Sequence, residues 1–435
     1  MKTLIQNGRL VDESQGLNAL GDLALADGQI VGIGKAPPDF SPDQRFDATG
    51  CVVSPGLVDL CARLGEPGHE HEGMLQTEMR AACAGGVTTL VCPPDTDPVL
   101  DESGLVDMLI HRVGQLDLGR VLPLGAITRG LDGDTLTEMA ALTEAGCVGF
   151  SQSEKAIVRA DVMLRAFQYA ATYGFALWLR PVHGQLDTGV AASGPLATRL
   201  GLSGVPASAE TIALFTILEF MRMTGARVHV CRVSSAAGVA MIRQAKAEGL
   251  ALTADISINQ LHLSENDMGY FDSRARLTPP LRSARDRDAL QQALIDGTVD
   301  AVVSDHTPVE ADGKALPFAQ AEPGATGLEF LLSAAIKWGG LDQSAMASAL
   351  ACVTSRPAQV LRSASKLELP KGLGQLMVGG VADVCVIDPK SEWAFEGSGL
   401  QSQCKHSPFD HRLSGMRWPV RVRATWVRGR QVHGQ

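Results

Sequence analysis

The chain has 435 residues, of which 45% are hydrophobic, 20% charged and 5% aromatic, with 46 glycines; this is globular usage and excludes a disordered, collagen-like or coiled-coil chain. The formal charge of −10, from 38 Lys+Arg against 48 Asp+Glu, repels phosphate backbones and anionic membranes, and no basic run overrides it locally. Neither nucleic acid nor a membrane is an expected partner, and no run approaches the ~18 apolar residues of a membrane span. Nine cysteines are scattered without a CxxC pair behind a start that lacks a signal peptide's apolar stretch, so reduced thiols in a cytoplasmic protein are expected.

The first fifty residues read as short strands at 3–11, 23–26, 29–33 and 45–53, with Asp27-Gly28 as a hairpin turn between apolar alternations. The last sixty-five have the same texture at 374–378, 381–387, 392–395 and 420–432. A few strands need a second face to cover them, so both ends are expected to meet in one small, sandwich-like β domain made of residues 1–54 and 366–435.

Between them, apolar runs alternate with stretches of helical period, the mark of βα units and a parallel sheet. The runs lie at 51–60, 87–92, 120–126, 147–151, 175–180, 227–233, 250–257 and 299–305, with helices at 75–84, 161–173, 209–223, 238–248, 286–295 and 328–338. Eight such units predict an α/β fold, a (β/α)8 barrel over residues 55–365 whose functional face is built from the loops after each strand. An open doubly wound sheet is the alternative, although no GxGxxG turn follows the first strand. Three loops on the functional face, 181–206, 258–281 and 306–326, are long and poor in helical pattern, which reads as lid-like.

The first strand runs Pro55-Gly56-Leu57-Val58-Asp59-Leu60 and is followed by Glu66-Pro67-Gly68. Together with Gly85-Gly86-Val87-Thr88-Thr89, Cys92-Pro93-Pro94-Asp95, Leu200 to Pro206 with Glu210, His229-Val230-Cys231-Arg232-Val233-Ser234, Pro279-Pro280-Leu281-Arg282 and Ser304-Asp305-His306-Thr307-Pro308, this text resembles dihydroorotase, a cyclic amidohydrolase of pyrimidine synthesis. Pro357-Ala358 and the Gly374 to Asp388 ending extend the resemblance over the whole chain. The resemblance implies an amidohydrolase-type barrel carrying a composite β domain.

It also implies a zinc site, because such barrels use strand-end ligands to hold a metal that acidifies water and polarises a carbonyl. Where the family has His-x-His after strand one, this chain has Cys61 and Arg63; the acidic bridging position falls on Gln152 or Ser153, and the histidines ending strands five and six appear as Arg180 and Arg232. Only Asp305, after strand eight, matches. The family's substrate-carboxylate positions fall on Gly65, Asp95 and Val309, of which two offer no donor and the third is an anion. Zinc and catalysis are therefore expected to be lost, with Asp305 vestigial.

Several other groups invite a ligand reading and receive a plainer one. Cys61 is a zinc-ligand type, but Cys231 stands one residue from Arg232, so strand parity turns it from the mouth, and by the same parity His229 faces the helices. His69 and His71 follow Pro67-Gly68 in a loop, where parity cannot hold two imidazoles in register. His183 reads as a solvated loop residue, His306 as a residue steadying its loop, and Met221, Met223 and Met241 as core packing. Arg63, Arg180 and Arg232 are expected to share the mouth with Asp305, filling the volume and part of the charge of the lost metal, with a positive surplus able to hold an anion such as phosphate.

The resemblance thus implies an inactive dihydroorotase homologue of the amidohydrolase superfamily, of the kind that supports the quaternary structure of aspartate transcarbamoylase, as a homo- or hetero-oligomer. Two alternatives stand beside it: a divergent cyclic amidohydrolase with an altered metal site, using Asp305 as base with an unrecognised metal or arginine-polarised water, and an anion-binding module.

Overall fold

A computed structural model describes residues 1–434. Eight parallel strands form the barrel wall: β1 (Leu57–Asp59), β2 (Val87–Cys92), β3 (Arg120–Ala126), β4 (Gly149–Ser151), β5 (Ala176–Leu179), β6 (Arg227–Val230), β7 (Leu252–Ser257) and β8 (Ala301–Val303). They are hydrogen-bonded in chain order from β1 to β8, and just beyond the strand ends Ala62 bridges His306, with Arg63 N–H donating to the His306 carbonyl at 2.8 Å.

Alternate residues along these strands enter two different cores, as the two-residue period of a strand requires. Val58, Val91, Leu124, Trp178, Ala301 and Val303 pack inside the barrel, where Ala358, Leu361 and Ala364 of the helix Ser355–Ala364 join them. Leu57, Leu90, Leu177, Val228, Ile256 and Val302 pack outward with residues of the surrounding helices.

A second sheet joins the two ends of the chain. Val52–Pro55 lies between Lys2–Asp12, which it pairs in parallel, and Val384–Asp388, which it pairs antiparallel with Val384 opposite Pro55. Leu17–Ala26 and Gln29–Gly34 extend the sheet on one side, Arg421–Val427 and Arg430–His433 on the other. Residues 374–378, expected as a strand, instead form turns and irregular backbone; Gly374 at φ +69 opens the segment, and Gly379 at φ +75 follows it, in left-handed backbone that a regular strand cannot contain. Much of the segment 393–418 packs on the barrel: Phe395, Leu400, Phe409 and Trp418 are buried with its helices, and Trp393 stacks on Phe330 at 5.5 Å.

The run 51–60, expected as one barrel strand, is two strands divided at Gly56. Val52–Pro55 belongs to the terminal sheet and Leu57–Asp59 to the barrel. A Cβ at Gly56 would stand 2.4 Å from the Thr88 side chain, so only glycine passes between the two sheets here. The three long loops contain short elements, among them the ladder of Ala191–Ala192 with Gly204–Val205 and the helices Pro195–Leu200, Ile258–His262 and Ala311–Ala315. Met221 is buried, but Met223, expected in the core, is 65% exposed; two residues apart on a helix point to nearly opposite sides.

Gly56→Ala should lower stability by about 1–3 kcal/mol through overpacking. Urea unfolding would show it as a lower midpoint, and adding Thr88→Ala should recover part of the loss; equal midpoints for wild type and Gly56→Ala would contradict the close approach.

Candidate functional site at the barrel mouth

The strand ends carry an ion-pair network centred on Glu154. Arg63, after β1, places Nη2 2.8 Å from Glu154 and 2.8 Å from Asp95, and its Nη1 donates to Thr307 Oγ1 at 2.9 Å. Arg180, after β5, places Nε 2.6 Å from the other Glu154 oxygen, and its Nη2 donates to Asp187 at 2.6 Å. Arg232, after β6, pairs with Glu154 through Nη2 and donates to Asp305 from Nη1 at 3.0 Å. One carboxylate thus joins three guanidiniums, and each guanidinium holds a second carboxylate of its own.

Backbone strain at the strand ends makes this convergence possible. Ser153, Arg232 and Asp305 have φ values of 53°, 53° and 52°, the left-handed region that costs a non-glycine residue roughly 1–2 kcal/mol. At Ser153 the reversal follows the end of β4 and sends Glu154 back into the mouth. At Arg232 it cancels the alternation of β6. Asp305 is followed by His306, whose buried ring meets Glu78 at 2.9 Å and accepts from Gly327 N–H at 3.1 Å, anchoring the β8 loop to the helix Leu75–Ala84.

Burial opposes ionisation of Glu154, but Arg232, Arg180 and Arg63 together hold its carboxyl well below the usual carboxylate range. Asp305 is shifted the other way, because its burial outweighs the pull of Arg232 and Arg63. The sequence reading of surplus positive charge is corrected here: three arginines face four carboxylates, Asp95, Glu154, Asp187 and Asp305. A mouth with this balance does not attract phosphate.

The remaining expected positions take structural parts. Gln152 exchanges hydrogen bonds with Thr128, and Ser153 Oγ accepts from Arg63 at 3.3 Å. Gly65, at φ +74, lets the loop close on itself, since a Cβ there would stand 1.9 Å from the Gly73 carbonyl oxygen. Val309 is buried, and Asp95 is spent on Arg63. His183 lines a largely apolar cavity of about 290 Å³ with Ile157, Val158, Met163 and Ile212.

Two parity expectations fail. Cys231 packs against the inner core that contains Cys61 and Trp178, and His229 lies with its ring 4.3 Å from that of Trp178, its register partner on β5, so both point into the barrel. His229 alternates with Val228 and Val230, which pack outward, and the left-handed Arg232 turns the next side chain inward as well. His229, Cys231 and Asp255 stand within ligand distance of one another. The imidazole and the carboxylate are already engaged: His229 bonds Asp255 and Thr253, each at 2.8 Å, while Asp255 also accepts from Arg232 N–H at 2.7 Å.

The zinc implied by the family resemblance does not fit this donor set. Guanidiniums stand at three of the strand-end positions, and the two nearby acids, Glu154 and Asp305, are bonded to them. Burial pushes the thiols of Cys61 and Cys231 well above their ordinary range, away from the thiolate a metal needs. Glu154 itself, the centre of the arrangement, escapes the sequence reading; its signal was an acid one residue beyond Ser153.

Glu154→Gln should destabilise the fold by about 2–3 kcal/mol, less than a fully buried pair because the side chain is 30% exposed. Since folding depresses the Glu154 pKa, its contribution is present above the ordinary glutamate value of 4.5 and is lost as pH falls below it. Acid unfolding should therefore be less steep in Glu154→Gln than in wild type, and identical profiles would contradict the network.

Comparison with known proteins agrees with this architecture. Residues 50–237 match a family model described as dihydro-orotase-like. The chain is 39% identical over 438 residues to a dihydroorotase-like protein of Pseudomonas aeruginosa and 36% identical over 443 residues to a dihydroorotase of Citrifermentans bemidjiense, each alignment covering 100% of both proteins. L-hydantoinase from Arthrobacter aurescens superposes with a TM-score of 0.86 at 23% identity, covering 99% of this chain and 96% of that one, which establishes a shared fold. With full-length identity of this order and a barrel of matching topology, the chain belongs to the dihydroorotase-like family of amidohydrolases.

Proposed function

We propose that this chain is a non-catalytic member of its family that serves pyrimidine biosynthesis as a structural or assembly partner of aspartate transcarbamoylase. The observation that carries the loss of catalysis is the convergence of Arg63, Arg180 and Arg232 on Glu154 in the volume where the family holds its metal. Arginine stays protonated and cannot lower the pKa of a bound water as a dication does. Asp305, the remaining acid of the family pattern, is bonded to Arg232 and is not free to serve as a base. The partner rests on the family resemblance, in which inactive homologues support the transcarbamoylase assembly. Loss of the reaction beside an intact barrel fits a surface-borne role.

The isolated chain should neither open dihydroorotate nor close carbamoyl aspartate at any pH from 6 to 9, and it should co-elute with aspartate transcarbamoylase in size-exclusion chromatography. Turnover abolished by Asp305→Asn would establish a divergent hydrolase instead. A separate elution of the two proteins, with the transcarbamoylase fully assembled alone, would remove the partner.

A further inference from the structure

We propose that His69, His71 and Glu72 form a site for one divalent transition-metal ion of the zinc class on the rim of the barrel mouth, apart from the Glu154 network. One ligand atom from each of these three side chains lies within 4.8 Å of the others. The backbone holds them in a single tight turn: His69 N–H donates to the Gly65 carbonyl at 2.7 Å, while Glu72 and Gly73 N–H both donate to the His69 carbonyl, at 3.0 and 3.2 Å. The Gln403 side-chain amide clamps the same turn from outside, donating to the carbonyls of Glu70 and His71 at 2.9 and 3.0 Å. A turn thus gathers two imidazoles that strand parity could not.

The chemistry favours a cation with nitrogen affinity. Two imidazoles and a carboxylate are a three-ligand zinc set that leaves further positions for water, whereas magnesium and calcium prefer all-oxygen surroundings. Zinc at 2.0–2.1 Å from each donor needs ligand atoms about 3.3 Å apart, a closure that modest side-chain rotation supplies. His69 Nδ1 already stands 3.8 Å from Glu72. The Glu72 side chain is only 20% exposed, and among the described residues it has no lysine or arginine within ion-pair distance. Glu310 and Glu322 stand close enough to add negative potential at Glu72. His69 and Glu72 also line a cavity of about 260 Å³ with Arg63, Asp95 and Thr307, so the open coordination positions face that space.

Titrating the chelator-stripped full chain with Co²⁺ and Zn²⁺ tests the site. One equivalent of each should bind, with visible Co²⁺ d–d absorption, while Mg²⁺ gives no binding. His69→Ala and His71→Ala should each weaken Zn²⁺ binding on the order of 100-fold and remove the Co²⁺ spectrum, and Glu72→Gln should weaken it about tenfold. No binding to wild type, or unchanged affinity in both histidine variants, would overturn the proposal. So would binding that survives in His69→Ala but is lost in Asp305→Asn, because the ion would then sit in the mouth. Thermal unfolding of the metal-free variants, expected at the wild-type temperature, separates ligand loss from misfolding.

Discussion

One carboxylate, that of Glu154, sets the terms for the whole barrel mouth. Like charges about 6 Å apart in an effective dielectric of ~20 repel by about 3 kcal/mol, so three unpaired guanidiniums would drive apart the loops that carry them. Glu154 turns that repulsion into attraction by bonding Arg63, Arg180 and Arg232 at once. The left-handed backbone at Ser153, Arg232 and Asp305 persists because these ion pairs, together with the His306–Glu78 anchor behind them, over-determine each strand end.

The same network occupies the face on which a (β/α)8 barrel carries its functional groups. A (β/α)8 barrel places catalytic groups on loops beyond the strands, while its stability resides in the wall and the inner layers. Here the inner layer is intact, from Trp178 and Val303 down to the helix Ser355–Ala364, and the terminal sheet is tied to the barrel through the Gly56 passage. The mouth, by contrast, is given over to three guanidiniums bonded to four carboxylates. That division leaves the packing of the wall independent of the groups that the loops carry.

Much of this architecture was legible in the sequence, because burial imposes periodicity. Apolar runs mark all eight barrel strands, and the helical period over 75–84 coincides with the helix Leu75–Ala84. The helix Ser103–Leu116 is not among the helices that the sequence predicts, since only Val106, Leu109 and Val113 of its face are buried. At the site, the positions of Arg63, Arg180, Arg232 and Asp305 followed from their places in the family pattern, but their counter-ions did not. Glu154 and Asp187 lie in loops, where no period tells which way a side chain turns. Parity misplaced Cys231 and His229 for a related reason: the alternation rule ends where φ changes sign, and a positive φ at an arginine has no sequence signature. The helical run likewise does not say that Met223 faces water while Met221 does not.

The most direct test of the central claim is the guanidinium N–H spectrum, Nη and Nε together, of the ¹⁵N-arginine-labelled protein, recorded with and without excess zinc. If Glu154 binds the three guanidiniums, Nη2 of Arg63 and Arg232 and Nε of Arg180 give slowly exchanging, shifted signals that zinc leaves in place and that Glu154→Gln perturbs, while Arg63 Nε, held by Asp95, keeps its own. Averaged, rapidly exchanging signals from all three, or their displacement by zinc, would show that the mouth still belongs to a metal.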